Sequence, residues 1–99
     1  VKAIVVMGEA DNVGNAIEDI SKGDGVFYTV GGTQRELQAV DDISFGFKVA
    51  VKDISAKSPI IKYGETIGRA SRAIATGECV HIHNVEGNRG RGDLAEADK

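Results

Sequence analysis

Three segments of this chain share one pattern, and that pattern limits the possible folds more than any other feature. They are Ala16-Ile17-Glu18-Asp19-Ile20-Ser21-Lys22-Gly23-Asp24-Gly25-Val26, Ala50-Val51-Lys52-Asp53-Ile54-Ser55-Ala56-Lys57-Ser58-Pro59-Ile60 and Ala70-Ser71-Arg72-Ala73-Ile74-Ala75-Thr76-Gly77-Glu78-Cys79-Val80. Each runs from a small residue, four positions on to isoleucine, three more to a turn residue, then three to a β-branched strand residue. The pattern predicts that Ile20, Ile54 and Ile74 are buried anchors of equivalent turns. Gly23 and Gly77 suit a left-handed backbone, where glycine carries no Cβ penalty. Lys57 holds that place in the second copy, so the turn there is expected to be adjusted, with help from Pro59. The copies begin 34 and 20 residues apart, too irregular for a solenoid. A compact β-domain of pseudo-repeated turn–strand units is the expectation.

The rest of the chain agrees with that class. Ninety-nine residues make one small domain with a modest core, and thirteen glycines against one proline imply many tight turns. A net charge of −3 gives no reason to expect nucleic acid or a membrane surface as partner. No apolar run approaches the roughly 20 residues of a membrane span. The start, Val1 to Val6, is too short an apolar run for a signal peptide. A single cysteine makes no internal disulfide, so a cytoplasmic setting is expected.

Periodicity predicts strands at Val1–Met7, Gly25–Val30, Leu37–Val40, Lys48–Val51, Ile60–Tyr63, Ile67–Ala70 and Val80–Val85. A turn or cap is expected over Asp11–Asn15 and a short helical turn over Ala16–Ser21. Residues 31–36 read as a loop or hairpin. Residues 87–99 show no apolar periodicity and read as a flexible Gly/Arg-rich tail, leaving 1–86 as the domain.

Both histidines and the cysteine fall in Cys79-Val80-His81-Ile82-His83-Asn84. Val80 and Ile82 alternate with Cys79, His81 and His83, the period of a strand. On that reading Val80 and Ile82 point into the core. The other three leave one face, with neighbours roughly 6–7 Å apart. Imidazole and thiol at that spacing suit a borderline metal such as iron or zinc, or an anionic substrate. The bland alternative is an edge strand with a polar outer face.

From Ile43 to Asn84 the chain resembles the SAF domain of the altronate/galactarate dehydratase family. The resemblance rests on Lys62-Tyr63-Gly64-Glu65-Thr66-Ile67-Gly68 and on Gly77-Glu78 with Val80, His81, His83 and Asn84, taken together. Two positions depart from the usual pattern. Phe47 stands where the family usually has a histidine, and Cys79 replaces the first of three alternating histidines. The resemblance implies a mostly β, SAF-type β-clip fold in a single small domain. It implies a hydro-lyase that eliminates water from a 2,3-dihydroxy acid to give a 2-keto-3-deoxy acid. A sulfo-lyase variant of the family, acting on (2R)-sulfolactate, expels sulfite instead.

The same resemblance implies a small subunit, inactive alone, beside a large dehydratase subunit that carries most of the site, because a domain this small has little room for a closed pocket. It implies a divalent metal, iron(II) being the first candidate, shared with that partner. His81 and His83 are then expected to act as ligands or as acid and base, with Cys79 as a further ligand. Lys48, Asn84, Arg89 and Arg91 are candidates to bind the small acidic substrate, arginine forks being suited to carboxylates. Two other readings stay open. One is a non-catalytic module that binds a small acidic ligand or a partner protein, which Phe47 favours. The other is a stand-alone metal protein using Cys79, His81 and His83.

Overall fold

The repeated turns pair with one another, and this pairing organises the molecule. The computed structural model describes residues 2–87. It shows a fourth copy of the pattern, Ala39-Val40-Asp41-Asp42-Ile43-Ser44-Phe45-Gly46-Phe47, with alanine, isoleucine and glycine at the spacings of the other three. The first copy pairs with this one, and the Ala50 copy pairs with the Ala70 copy. At each centre two isoleucines exchange both main-chain bonds: Ile20 with Ile43, and Ile54 with Ile74, every N···O distance being 2.8 Å.

The bonds around each centre obey a pseudo-two-fold rule. The first alanine of one copy accepts from the turn residue of its mate: Ala39 from Gly23, Ala16 from Gly46, Ala70 from Lys57 and Ala50 from Gly77. The alanine N–H groups donate back to Asp24, Phe47, Ser58 and Glu78. All four isoleucines are buried, including the three expected from sequence. All four turn residues have positive φ, from 70° at Lys57 to 94° at Gly23. Lys57 therefore makes the same left-handed turn as the glycines, and the expected adjustment there does not occur. Its Nζ pairs with Glu86 at 2.9 Å, which helps hold the strained residue.

Among the described residues nine strands carry these turns: β1 (Lys2–Val5), β2 (Val13–Ala16), β3 (Gly25–Val30), β4 (Thr33–Gln38), β5 (Lys48–Ala50), β6 (Pro59–Lys62), β7 (Glu65–Ala70), β8 (Cys79–Val80) and β9 (Val85–Glu86). Six form one sheet in the order β4-β3-β1-β2-β5-β8, and β6-β7-β9 form a second. Of these strand pairs β1 and β3 run parallel and the others antiparallel. The described residues contain no helix, so the fold is mostly β as expected, but the helical turn at Ala16–Ser21 is absent. Val13–Ala16 instead pairs with both β1 and β5, a tertiary contact that overrides the local preference. No helix among the described residues is long and apolar enough to cross a membrane.

Alternation along β2, β5 and β8 feeds two separate cores. Val49 and Cys79 join Ile4, Val26, Tyr28 and the Ile20–Ile43 pair in the first. Val13, Ala50 and Val80 join Ile60, Ala70 and the Ile54–Ile74 pair in the second.

Asp11 bridges the two sheets. Its carboxylate, only 1% exposed, accepts from Met7 N–H beyond the end of β1 and from Tyr63 and Gly64 N–H in the β6–β7 turn, at 2.8–3.2 Å. Asn12 adds a second link. Its Oδ1 accepts from Ile61 N–H at 2.7 Å and its Nδ2 donates to the Pro59 carbonyl at 2.9 Å. The turn or cap expected over Asp11–Asn15 is thus replaced from Val13 onward by β2, and Asp11 and Asn12 instead clamp the second sheet to the first.

Candidate functional site

The predicted strand through the histidines stops early. β8 consists of Cys79 and Val80 alone, a turn covers residues 81–84, and β9 begins at Val85. The cause is Asn84. Its Oδ1 accepts from His81 N–H at 3.0 Å, its Nδ2 donates to the Cys79 carbonyl at 2.9 Å, and its own N–H donates to the His81 carbonyl at 3.0 Å. An asparagine that folds its side chain onto nearby backbone makes a turn in place of a ladder. Asn84 is fully buried, with both side-chain polar atoms engaged by the chain.

This turn separates the two imidazoles. The β5–β8 register pairs Lys48 with Val80, which brings Phe47 opposite His81. Their rings stack with centroids 4.3 Å apart and planes 27° from parallel. His83 is exposed within the turn. Ile82, expected to point inward, is 83% exposed. The single face shared by Cys79, His81 and His83 is therefore not present, because the strand that would create it ends at Val80.

Cys79 packs in the first core, and burial pushes its thiol above the ordinary range, with the Asp41 carboxylate adding to the effect. A buried, protonated thiol is a poor metal ligand. Among the described residues no three His, Cys, Asp or Glu groups come together to hold an ion. The donor set on this stretch does not fit a metal by itself.

Lys48 and His81 do share a site. Together with Ile67, Ile82, Val85 and Glu86 they line an open groove of about 210 Å³ between the rim of the first sheet and the edge of the second. Lys48 is half-buried. Burial lowers its ammonium below the usual lysine value, and the charge of Lys62 lowers it further. Glu86, on the same groove, is already paired with Lys57 at 2.9 Å and Arg69 at 3.0 Å. The groove thus offers a positive charge at one wall, an imidazole braced by a phenyl ring, and apolar sides. It is smaller than the ~300–1,000 Å³ of a full ligand pocket.

Of the candidates read from sequence, the structure brings together Lys48 and His81. His83, Cys79 and Asn84 do not line the groove, and Arg89 and Arg91 fall outside the described residues. Ile67 and Val85 were missed, because nothing local marks which strand edge will face β5.

Comparison with known proteins agrees with this architecture. The altronate/galactarate dehydratase SAF domain model matches residues 2–88. The altronate dehydratase of Bacillus subtilis (strain 168) is 38% identical over 88 residues, which are 88% of this chain but 17% of that protein. The (2R)-sulfolactate sulfo-lyase subunit alpha of Chromohalobacter salexigens is 39% identical over 54% of the chain and 57% of its own length. The subunit of the same name from Paracoccus pantotrophus is 42% identical over 54% of the chain and 79% of its own length. The chain thus covers a small part of the long dehydratases and over half of the short sulfo-lyase subunits. It belongs to the altronate/galactarate dehydratase SAF domain family.

Proposed function

We propose that this chain is the SAF subunit of a lyase that eliminates water from a small hydroxy acid, and that a large partner subunit completes its active site. The observation that carries this reading is the half-built groove at Lys48 and His81. It has charge and an acid–base group, yet it is open and too small to exclude water. Its rim is apolar: Ile82 is 83% exposed and Ile67 43% exposed, surfaces that a partner would cover.

In this reaction a proton leaves the carbon beside the carboxylate, and the electron pair forms an enolate. The hydroxyl on the next carbon departs with a proton from a general acid, and the enol tautomerises to the keto acid. Lys48 holds the carboxylate and stabilises the charge that grows on it. His81 gives the proton to the leaving hydroxyl, a role supported by the stacking of its ring on Phe47 and by the Asn84 turn. The partner supplies the base that takes the carbon-bound proton.

A second reading, expulsion of sulfite from a sulfo acid, has one observation in its favour. Two (2R)-sulfolactate sulfo-lyase alpha subunits are 39% and 42% identical to this chain, each over 54% of it.

The test is reconstitution. The chain is co-expressed with the large lyase subunit encoded nearest to it, and keto-acid and sulfite release are followed from altronate, galactarate and sulfolactate. Keto-acid release is expected from a sugar acid, and His81→Ala should lower turnover by about 100-fold, the usual cost of losing an acid–base group. Unchanged turnover in His81→Ala and in Lys48→Gln would reduce the chain to a non-catalytic binding module.

A further inference from the structure

Beside the groove lies a polar group that the chemistry above does not use. Asn15 stands opposite Lys48 in the β2–β5 register. Its Nδ2 donates to the Tyr63 hydroxyl at 3.1 Å. Its Oδ1 is buried and receives no hydrogen bond from any described residue. A buried acceptor left in that condition is costly, so its retention calls for an explanation.

Tyr63 is itself held firmly. It sits in the β6–β7 turn at φ 56°, a left-handed conformation uncommon for a bulky residue, and its N–H is fixed by Asp11 at 3.0 Å. The ammonium of Lys62 lies 4.9 Å from the centre of the Tyr63 ring. Lys62 is also near enough to Lys48 for the two charges to repel. Neither lysine forms an ion pair among the described residues. Two half-buried cations without a carboxylate, next to an acceptor without a donor, are complementary to one kind of molecule. That molecule carries an anionic group with a hydroxyl on the adjacent carbon.

Resting on the hydroxy-acid reading above, we propose that Lys48 and Lys62 jointly bind the acid group of the substrate while Asn15 Oδ1 accepts a hydrogen bond from its neighbouring hydroxyl. Lys62 becomes a substrate-binding residue. Tyr63 is a positioning residue that orients the Asn15 amide, and Asp11 holds Tyr63 in turn. The site selects 2-hydroxy acids over plain carboxylates, because an acid without the hydroxyl leaves Asn15 Oδ1 unpaired.

The test needs only the full chain and two probes, D-glycerate and propionate, titrated by NMR. Glycerate should bind in the millimolar range, ~4 kcal/mol of affinity, and weaken as salt is added. Propionate should bind about 5- to 10-fold more weakly. Lys62→Gln should weaken both acids by about 10-fold, and Lys62→Arg should restore binding. Asn15→Ala should abolish the preference for glycerate while leaving propionate unchanged. Equal affinity for the two acids, no glycerate binding by the unaltered chain, or full binding by Lys62→Gln would each overturn the proposal. The Lys62 variants and the two-probe comparison keep it falsifiable even if Asn15→Ala unfolds. The outcome is separable from that of the lyase reading: an active reconstituted enzyme whose KM ignores Lys62→Gln would remove this site and leave the lyase. Selective glycerate binding by a chain that never supports turnover would do the reverse.

Discussion

The two cores are built on one device, yet they are not equally furnished. In the first, Asp19 and Asp42 act reciprocally. Asp19 accepts from Phe45 N–H at 2.9 Å, and Asp42 accepts from Lys22 N–H at 2.8 Å. In the second, Asp53 accepts from both Thr76 N–H and Thr76 Oγ1, at 2.9 and 2.8 Å. The matching position on its mate is Ala73, which has no carboxylate to offer the Ala56 N–H. The second pair also carries Lys57 where the other copies have glycine. Main-chain pairing survives both changes without loss of a bond. Buried isoleucines and reciprocal backbone bonds therefore carry the device, and the carboxylate caps are additions to it. The less regular half supplies one wall of the groove, through β7 and β9, opposite Lys48 of the first sheet.

The comparison breaks most directly at its centres. Ile43→Ala in the first core and Ile74→Ala in the second should each cost about 2–5 kcal/mol, the usual loss for truncating a buried isoleucine. Urea titration of the two variants should show similar losses. A cost below ~1 kcal/mol in either would mean that its pair is not a core device.

Asp11 tests the joint between the halves. Burial by itself would raise its carboxyl, but bonds from the Gly64, Tyr63, Met7 and Gly8 backbone outweigh it and hold the group below its ordinary value of 3.8. A folded pKa lowered in this way contributes stability that is complete above the unfolded value and is lost as pH falls through the folded one. Asp11→Asn turns an amide NH₂ toward N–H donors and should cost about 2–3 kcal/mol at neutral pH. The deficit should shrink near pH ~3, where the parent carboxylate begins to lose its advantage. Denaturant titrations at both pH values check this, and an equal deficit at both would show that charge plays no part in the clamp.

The smallest effect sharpens the comparison by removing an asymmetry. Ala73→Asp places a carboxylate where Asp42 stands in the other pair, at the position that would cap the Ala56 N–H. It should stabilise the chain by about 0.5–1 kcal/mol, as a cap of this kind does. Asp19→Ala should lose a comparable amount. Thermal melts of the two variants should move in opposite directions, and a shift of both in one direction would refute the equivalence of the caps.

Much of this molecule is legible in its sequence alone. Ile20, Ile54 and Ile74 are core anchors because their spacing from a turn residue marks a local shape, and local shape is written in local sequence. Ala39, Ile43 and Gly46 carry the same signal, so the fourth copy was open to the same reading. Gly23 and Gly77 were readable because a left-handed turn selects glycine wherever it occurs. Lys48 and His81 stood out by residue type, and they do share a groove. Pairing was decided only in three dimensions. Nothing local shows that the Ala16 copy joins the Ala39 copy and the Ala50 copy joins the Ala70 copy, nor that Asp11 reaches the β6–β7 turn. The histidines show the same limit. Alternation at 79–83 reports which side chains would share a face if a strand were present. A strand lasts only as long as it has a partner, and β5, the partner of β8 among the described residues, begins at Lys48 opposite Val80. Beyond that point the Asn84 side chain closes the turn, and His81 and His83 part.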